Sequence, residues 1–286
     1  MSSQGKNFVI FGATGKQGSA AVQWLTKSGT DNIIYAITRD PSSAKAQSLA
    51  TLPHVQVIQG DSSDPEKAFA QVNGTVDGVF FAPVGFDAKD QIKEGKQMID
   101  LAGKSGVGYL VFSSTDFSGH REDVTGIEAI EAKKVIEDYL ISSFVKYTIL
   151  RPVGFLENLF FPGYADAIPH FWPRQLIKSG IASSDIGRAV SEVLLNPAYF
   201  EGKIIGLSGY EGSPQDWMHV WEKVTGEDLR KREKKMNSEM SEEKMKMLKF
   251  IMFNENDARV ERTRAFFPWV MDLQTFLEDA KARKPM

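Results

Sequence analysis

Apolar and polar positions in the first 150 residues alternate between two rhythms. The runs NFVIF (7–11), NIIYAIT (32–38), VQVI (55–58), GVFFA (78–82), YLVFSS (109–114) and YTIL (147–150) are short and apolar, the pattern of strands buried on both faces. Segments with helical spacing lie between them. Ala20, Ala21, Val22, Trp24 and Leu25 form one such face, and Ile92, Met98, Ile99 and Leu101 mark a helix over about 88–104. Ile127, Ile130, Val135, Ile136, Tyr139 and Leu140 mark another over about 127–142. Asp40-Pro41 and Asp64-Pro65 each join a capping acid to a proline and predict helix starts. Strand–helix alternation of this kind predicts an α/β fold, a doubly wound parallel sheet covered on both faces through right-handed crossovers.

The rhythm then changes. Residues 152–181 are rich in Pro, Gly and aromatics and read as one long loop region, and long loops in compact domains carry function. Ser184-Asp185 predicts a helix ending before Asn196-Pro197, KIIGLS (203–208) a strand, and the chain from about Ser213 is helical and charge-rich. No internal repeat or low-complexity linker is present. The expected organisation is a dinucleotide-type domain over 1–151 and a smaller, dependent α/β substrate or lid subdomain over 152–286. The elements between about 183 and 209 complete one or the other.

Composition narrows the chemistry. Among 286 residues, 42% are apolar and 25% charged, an ordinary globular balance. Lys+Arg is 34 and Asp+Glu 37, a net charge of −3 that lacks the basic footprint of a direct nucleic-acid binder. There is no cysteine, so disulfides, thiol nucleophiles and thiolate metal sites are all excluded. His54, His120, His170 and His219 are far apart, and no metal site is expected. No secretory signal and no apolar run approaching about 20 residues is visible, so no membrane association is expected. The expected location is cytoplasmic, with nuclear presence in addition if the role is regulatory. The expected assembly is a monomer or homodimer.

Gly12, Gly15 and Gly18 stand in GxxGxxG spacing between a buried strand and an amphipathic helix, the context of a Rossmann-type dinucleotide turn. Glycine there permits a tight turn and close backbone approach to a pyrophosphate, and the helix start supplies free N–H groups. Thr14, Lys16 and Gln17 add polar groups to the turn. The second strand ends in Thr38-Arg39-Asp40, where an acid reads a free ribose 2′-OH and an arginine reads a 2′-phosphate. With Asp40 assigned to helix capping, Arg39 is left for the phosphate, which favours NADP(H). Asp61, after Gly60, accepts from adenine or caps a turn, and both readings stay open. Ala82-Pro83-Val84-Gly85 ends the fourth strand as a narrow stretch suited to lie beside the cofactor.

A short-chain reductase carries Tyr and Lys as YxxxK on the helix after the fifth strand. Lys133 and Lys134 are there, but Ala129 and Ile130 occupy the tyrosine position. The YxxxK formed by Tyr199 and Lys203 spans Gly202 and forms no helical face. Ser113, Ser114 and Thr115 end the fifth strand, where a substrate-binding hydroxyl or simple strand termination are equal readings. His120 in the next loop is a candidate acid or base, or an exposed loop histidine.

On GATGKQG (12–18), TRDP (38–41), GD (60–61), AKKVIEDY (132–139), LRPVGFLENLF (150–160), DIGRAV (185–190) and KIIGLSG (203–209), the chain resembles the NmrA-like family of atypical short-chain dehydrogenase/reductases. The resemblance implies NADP(H) held by Gly12, Thr14, Gly15, Gln17, Gly18 and Arg39, with Lys16, Asp61, Ala82, Pro83 and Pro152 counted on the cofactor side. It places Lys133 at the nicotinamide ribose, and Phe155 and Asn158 near the nicotinamide end. Family members divide into reductases of quinones or aromatic compounds and dinucleotide-sensing regulators. Missing tyrosine is usual for the family and does not separate the two.

Phe155, Phe160, Phe161, Tyr164, Phe171 and Trp172 suit a flat apolar substrate or pack a subdomain. Met236, Met240, Met245, Met247 and Met252 suit a lid, a partner groove or a core stripe. The run Arg230–Lys235 is a solvated face. The resulting expectation is an NADP(H)-dependent oxidoreductase for an apolar aromatic or conjugated acceptor. Lys133 orients the ribose, Ser114 or His120 polarises the substrate, and Phe155, Asn158 and Phe161 line its pocket. The rival is a non-catalytic NADPH/NADP+ sensor that binds a regulatory protein.

Overall fold

The structure, a computed structural model, describes residues 5–29, 31–83, 85, 87–161, 163–232 and 242–283. Six strands alternate with helices in the first half: β1 (Asn7–Ile10), α1 (Lys16–Lys27), β2 (Ile33–Thr38), α2 (Ala44–Ala50), β3 (Val55–Gln59), α3 (Pro65–Phe69), β4 (Gly78–Phe81), α4 (Ala88–Lys104), β5 (Leu110–Ser113), α5 (Glu128–Ile141) and β6 (Tyr147–Pro152). After them come α6 (Tyr164–Phe171), β7 (Lys178–Gly180), α7 (Ser183–Leu195), α8 (Pro197–Phe200), β8 (Ile204–Leu207), β9 (Tyr210–Gly212), α9 (Pro214–Thr225), α10 (Glu242–Phe253), α11 (Val260–Phe266) and α12 (Leu273–Arg283).

Seven strands form one sheet in the order β3-β2-β1-β4-β5-β6-β8. Pairs from β3 through β6 are parallel. The Ile149 N–H donates to Lys203 and Val153 to Leu207, rising in step, so β8 is parallel too. The order reverses between β1 and β4, the topological switch point of a Rossmann-type fold. β4 and β5 are buried at every position, which explains their unbroken apolar runs. Val9, Phe11, Tyr35, Val79, Phe81, Leu110, Phe112 and Ile149 pack with Met98 and Ile99 of α4 and Ile136 and Leu140 of α5. α7 lies tightly on α1: a Cβ on Gly187 would sit 2.4 Å from the Ala20 Cβ.

Two expectations are corrected. The Asp40-Pro41 pair does not begin a helix. The Asp40 carboxylate accepts the N–H and hydroxyl of Ser42 in a local turn, and Ser43 caps α2 by accepting from Ala46. A side chain that bonds two residues ahead competes with the helix it was expected to start. Asp64 does cap α3, with Pro65 at its first turn. Residues 152–181 are not one long loop. They hold a 3₁₀ helix over Leu156–Phe160, α6 and β7, with β7 pairing antiparallel with β9. These elements are too short to show a period, and Pro169 within α6 disguises the helix.

The chain divides into two compact units. The first takes residues up to Ser114, Glu128–Leu150 and Ser184–Ile205; the second takes Thr115–Ile127, Arg151–Ser183 and Gly206 onward. The second has its own core, in which Leu156, Leu159, Ile168 and Trp172 pack with Trp217, Trp221, Leu273 and Phe276. Met236, Met240 and residues 233–235 lie outside the described residues, as do Val84 and the side chains of Met245 and Met252.

Candidate functional site

In the first unit the glycine turn joins β1 to α1 at the switch point. Phe11 N–H bonds to Phe80 O and Ala13 N–H to Ile37 O, so the turn is tied to both neighbouring strands. Gly12 has φ +63°, and a Cβ there would meet nothing within 4 Å. It therefore borders open space. Gly18 does the opposite: a Cβ would lie 2.3 Å from the Gly12 carbonyl oxygen, so only glycine lets helix and turn close up. Gly15 caps α1 without a side-chain acceptor, and no acid sits in its first turn. The N–H groups at that end are thus available to an anion.

Polar side chains ring this turn. Thr14 Oγ1 lies 3.3 Å from Thr38 Oγ1 at the end of β2. Lys16 is exposed at the helix start. Gln17 Oε1 accepts from Ser113 Oγ at 2.7 Å. Arg39 is exposed, while its backbone carbonyl accepts from Gln59. Asp61 accepts the N–H of Ser63 at 2.8 Å, the turn-capping alternative. The Ser63 hydroxyl and N–H, with the Arg39 charge behind them, hold the Asp61 carboxyl below its usual range.

Past β4, Pro83 is buried and Ala82 half-buried. Lys133 of α5, itself 8% exposed, donates its ammonium to the Pro83 carbonyl at 2.5 Å. Burial pushes its pKa down to about 7, against the upward pull of Glu94, whose carboxylate accepts from Ser62. The Lys133 Nζ lies 5.7 Å from the Phe112 ring centre. Two positions on, Ser114 is buried, and its hydroxyl has no hydrogen-bond partner among the described residues.

The other candidates belong to the second unit. His120 has Nδ1 2.8 Å from Asp123 and Nε2 3.1 Å from the Asn254 side chain, so both ring nitrogens are engaged. Pro152 is buried, and its carbonyl accepts from the Asp116 N–H. Phe155 is half-buried and bridges to Ile181. Asn158 bonds the Tyr164 hydroxyl, whose pKa burial pushes up to about 12. Phe161 is 55% exposed.

Sequence reasoning missed Asp116. Its buried carboxylate accepts the N–H groups of Ser118, Asp257 and Ala258 and the side-chain amide of Asn256. A lone acid after a strand gives no sign of this. Lys178 was missed as well: 1% exposed, it donates to the Asn254 carbonyl, and burial lowers its pKa to about 8. Among the described residues no group of three His, Asp or Glu is placed to hold a metal ion, and no helix is long and apolar enough to cross a membrane.

The fold recurs in known proteins. The model of the NmrA-like family matches residues 4–264. The chain belongs to the NmrA-like family. A curated relative, the NmrA-like family domain-containing oxidoreductase FrzB of a Cladobotryum species, is 29% identical over 164 residues, 48% of this chain. The chain thus matches about half the length (47%) of that relative. Among solved structures, NmrA, a negative transcriptional regulator in complex with NADP, superposes with a TM-score of 0.77 at 14% identity, covering 99% of this chain and 97% of that one. The triphenylmethane reductase of a Citrobacter species, complexed with NADP(H), superposes at 0.75 with 20% identity, covering 96% and 99%. A negative transcriptional regulator and a reductase thus both share this chain's fold.

Proposed function

We propose that this NmrA-like chain binds NADP(H) at the glycine turn and is an oxidoreductase that delivers hydride to an apolar aromatic or conjugated acceptor. The first unit is its dinucleotide domain and the second its substrate subdomain. Cofactor fit rests on the open cradle at Gly12, the uncapped start of α1, and the exposed Arg39 at the end of β2. Gly12, Thr14, Gly15, Gln17 and Gly18 would hold the diphosphate. Arg39 would read the 2′-phosphate, a charge-assisted contact. When bound, the nicotinamide supplies the hydride. That the relatives NmrA and triphenylmethane reductase are complexed with NADP or NADP(H) supports this choice.

The observation that carries the enzyme reading is the Ser114 hydroxyl, buried without a hydrogen-bond partner among the described residues, in the same unit as Lys133, whose pKa burial lowers to about 7. A lysine poised near pH 7 gives or takes a proton at little cost. Its ammonium would also hold a ribose hydroxyl of the bound cofactor. The Ser114 hydroxyl, buried without a partner, is free to donate to the oxygen or nitrogen of an acceptor. His120, engaged at both nitrogens, is left in a supporting role in the second unit.

The competing reading is a dinucleotide-dependent regulator, favoured by the frame shared with NmrA, a negative transcriptional regulator. One assay separates them: NADPH absorbance followed over a panel of quinones, enals and imines. Turnover on one class establishes the oxidoreductase. Tight NADPH binding without turnover on any of them overturns it in favour of the regulator.

A further inference from the structure

Gln17 lies in the first turn of α1, and Ser113 closes β5, 96 positions later. In the sheet, β4 stands between β1 and β5. The hydrogen bond from Ser113 to Gln17 therefore ties the glycine turn to a strand two places away, over the C-terminal end of β4. That is the switch point, where a dinucleotide crosses from one half of a doubly wound fold to the other. Both residues sit in the first unit, and Ser113 is 2% exposed.

The chemistry of an amide makes this bond directional. Gln17 carries one acceptor oxygen and one two-proton donor nitrogen on opposite corners of a rigid plane. Ser113 is the donor, so it engages the oxygen corner. The nitrogen corner is not used in this bond, and its protons meet no acceptor among the described residues. We propose that Ser113 is a positioning residue: by holding Gln17 Oε1 it presents the Gln17 NH2 to the phosphate-bearing middle of the dinucleotide. A side chain held in advance loses less freedom on binding, so the bond raises affinity without touching the ligand. The inference rests on the dinucleotide reading of the turn.

The test uses the full chain and measures dissociation constants for NADPH and NADH by fluorescence titration, with thermal melting as a control on folding. Gln17→Glu keeps the acceptor for Ser113 and removes both donors; binding of both dinucleotides should fall at least tenfold. Ser113→Ala should weaken both about equally, by about three- to tenfold, the scale of one net hydrogen bond. Ser113→Thr, which keeps the hydroxyl, should restore most of that loss. In a Gln17→Ala background Ser113→Ala should cost nothing further, because the side chain it holds is gone. A merely structural serine would give the same loss in both backgrounds, and that result overturns the inference. Wild-type affinity in Ser113→Ala overturns it as well. If the wild type binds neither dinucleotide, the reading of the turn fails and this inference falls with it.

Discussion

Lys133 gives its ammonium to the carbonyl of Pro83, 50 positions earlier, inside a site where only 8% of the lysine is exposed. This joins α5 to the segment after β4 and sets how the lysine titrates. Burial lowers its folded pKa to about 7 from the ordinary lysine value of 10.5. Between those values the unfolded chain holds a proton that the folded chain has released, so unfolding takes up a proton. Stability from this group is then lost as pH falls toward 7 and gained as pH rises toward 10. Lys133→Met should flatten that gain, which is on the order of a few kcal/mol. Urea melts of both proteins at pH 7, 8 and 9 would show it; parallel slopes would refute the depressed lysine.

Gly12 and Gly18 should fail in different ways. At Gly12 an added methyl meets open space, and only the left-handed backbone opposes it, at about 1–2 kcal/mol. Gly12→Ala should therefore stay folded while filling the space meant for the diphosphate, and lose NADPH binding at least tenfold. At Gly18 the methyl meets a carbonyl oxygen. Gly18→Ala should lower the melting temperature as well as binding. Equal melting temperatures for the two variants would contradict the packing described for the turn.

Arg39→Ala should weaken NADPH by about ten- to a hundredfold, the loss of one charge-assisted bond of about 1.5–3 kcal/mol. NADH, which has no 2′-phosphate, should be nearly unaffected. Titration of both ligands against both proteins measures this. Equal weakening would mean that Arg39 does not read the phosphate.

The first half of the fold was legible because its strands are buried on both faces and its helices are long enough to show a period. The helix at 88–104 matches Ala88–Lys104, and Lys133 and the glycine turn follow from motif and position. What was not legible are features decided by pairs distant in sequence. Ser113 reads as a strand end until Gln17 is found against it. Asp40 reads as a helix cap because Pro41 follows it, and only the bonds to Ser42 show the turn. The aromatics at 156–172 read as a loop because α6 spans barely two turns and contains a proline.

Asp116 carries a prediction for the second unit. Its carboxylate accepts the Ala258 N–H and the Asn256 amide in buried bonds and the N–H groups of Ser118 and Asp257 in half-buried ones, so removing it leaves two buried donors unpaired. Asp116→Ala should cost about 3 kcal/mol or more, since each orphaned donor is worth about 1–3 kcal/mol. Denaturant melts check this. A loss below about 1 kcal/mol, the worth of a single ordinary hydrogen bond, would mean that solvent replaces the carboxylate and that the cluster is not a structural anchor.

Ser114 separates the two readings of function most directly. Its buried hydroxyl has no partner among the described residues, so the fold gains nothing from it and bears the cost of its desolvation. Ser114→Ala should leave the melting temperature unchanged or raise it slightly, because it removes an unsatisfied polar atom. NADPH affinity should also hold, as the cofactor contacts proposed here lie on the glycine turn, Arg39 and Lys133. If the hydroxyl polarises the acceptor, kcat should fall by about 10²–10³, the cost of losing one donor aimed at developing charge. KM should move far less, because that contact strengthens only as the reaction proceeds. Unchanged kcat would remove Ser114 from the chemistry. A fall in melting temperature would show instead that the hydroxyl is paired in the folded protein, and the case for an acceptor at that position would fail.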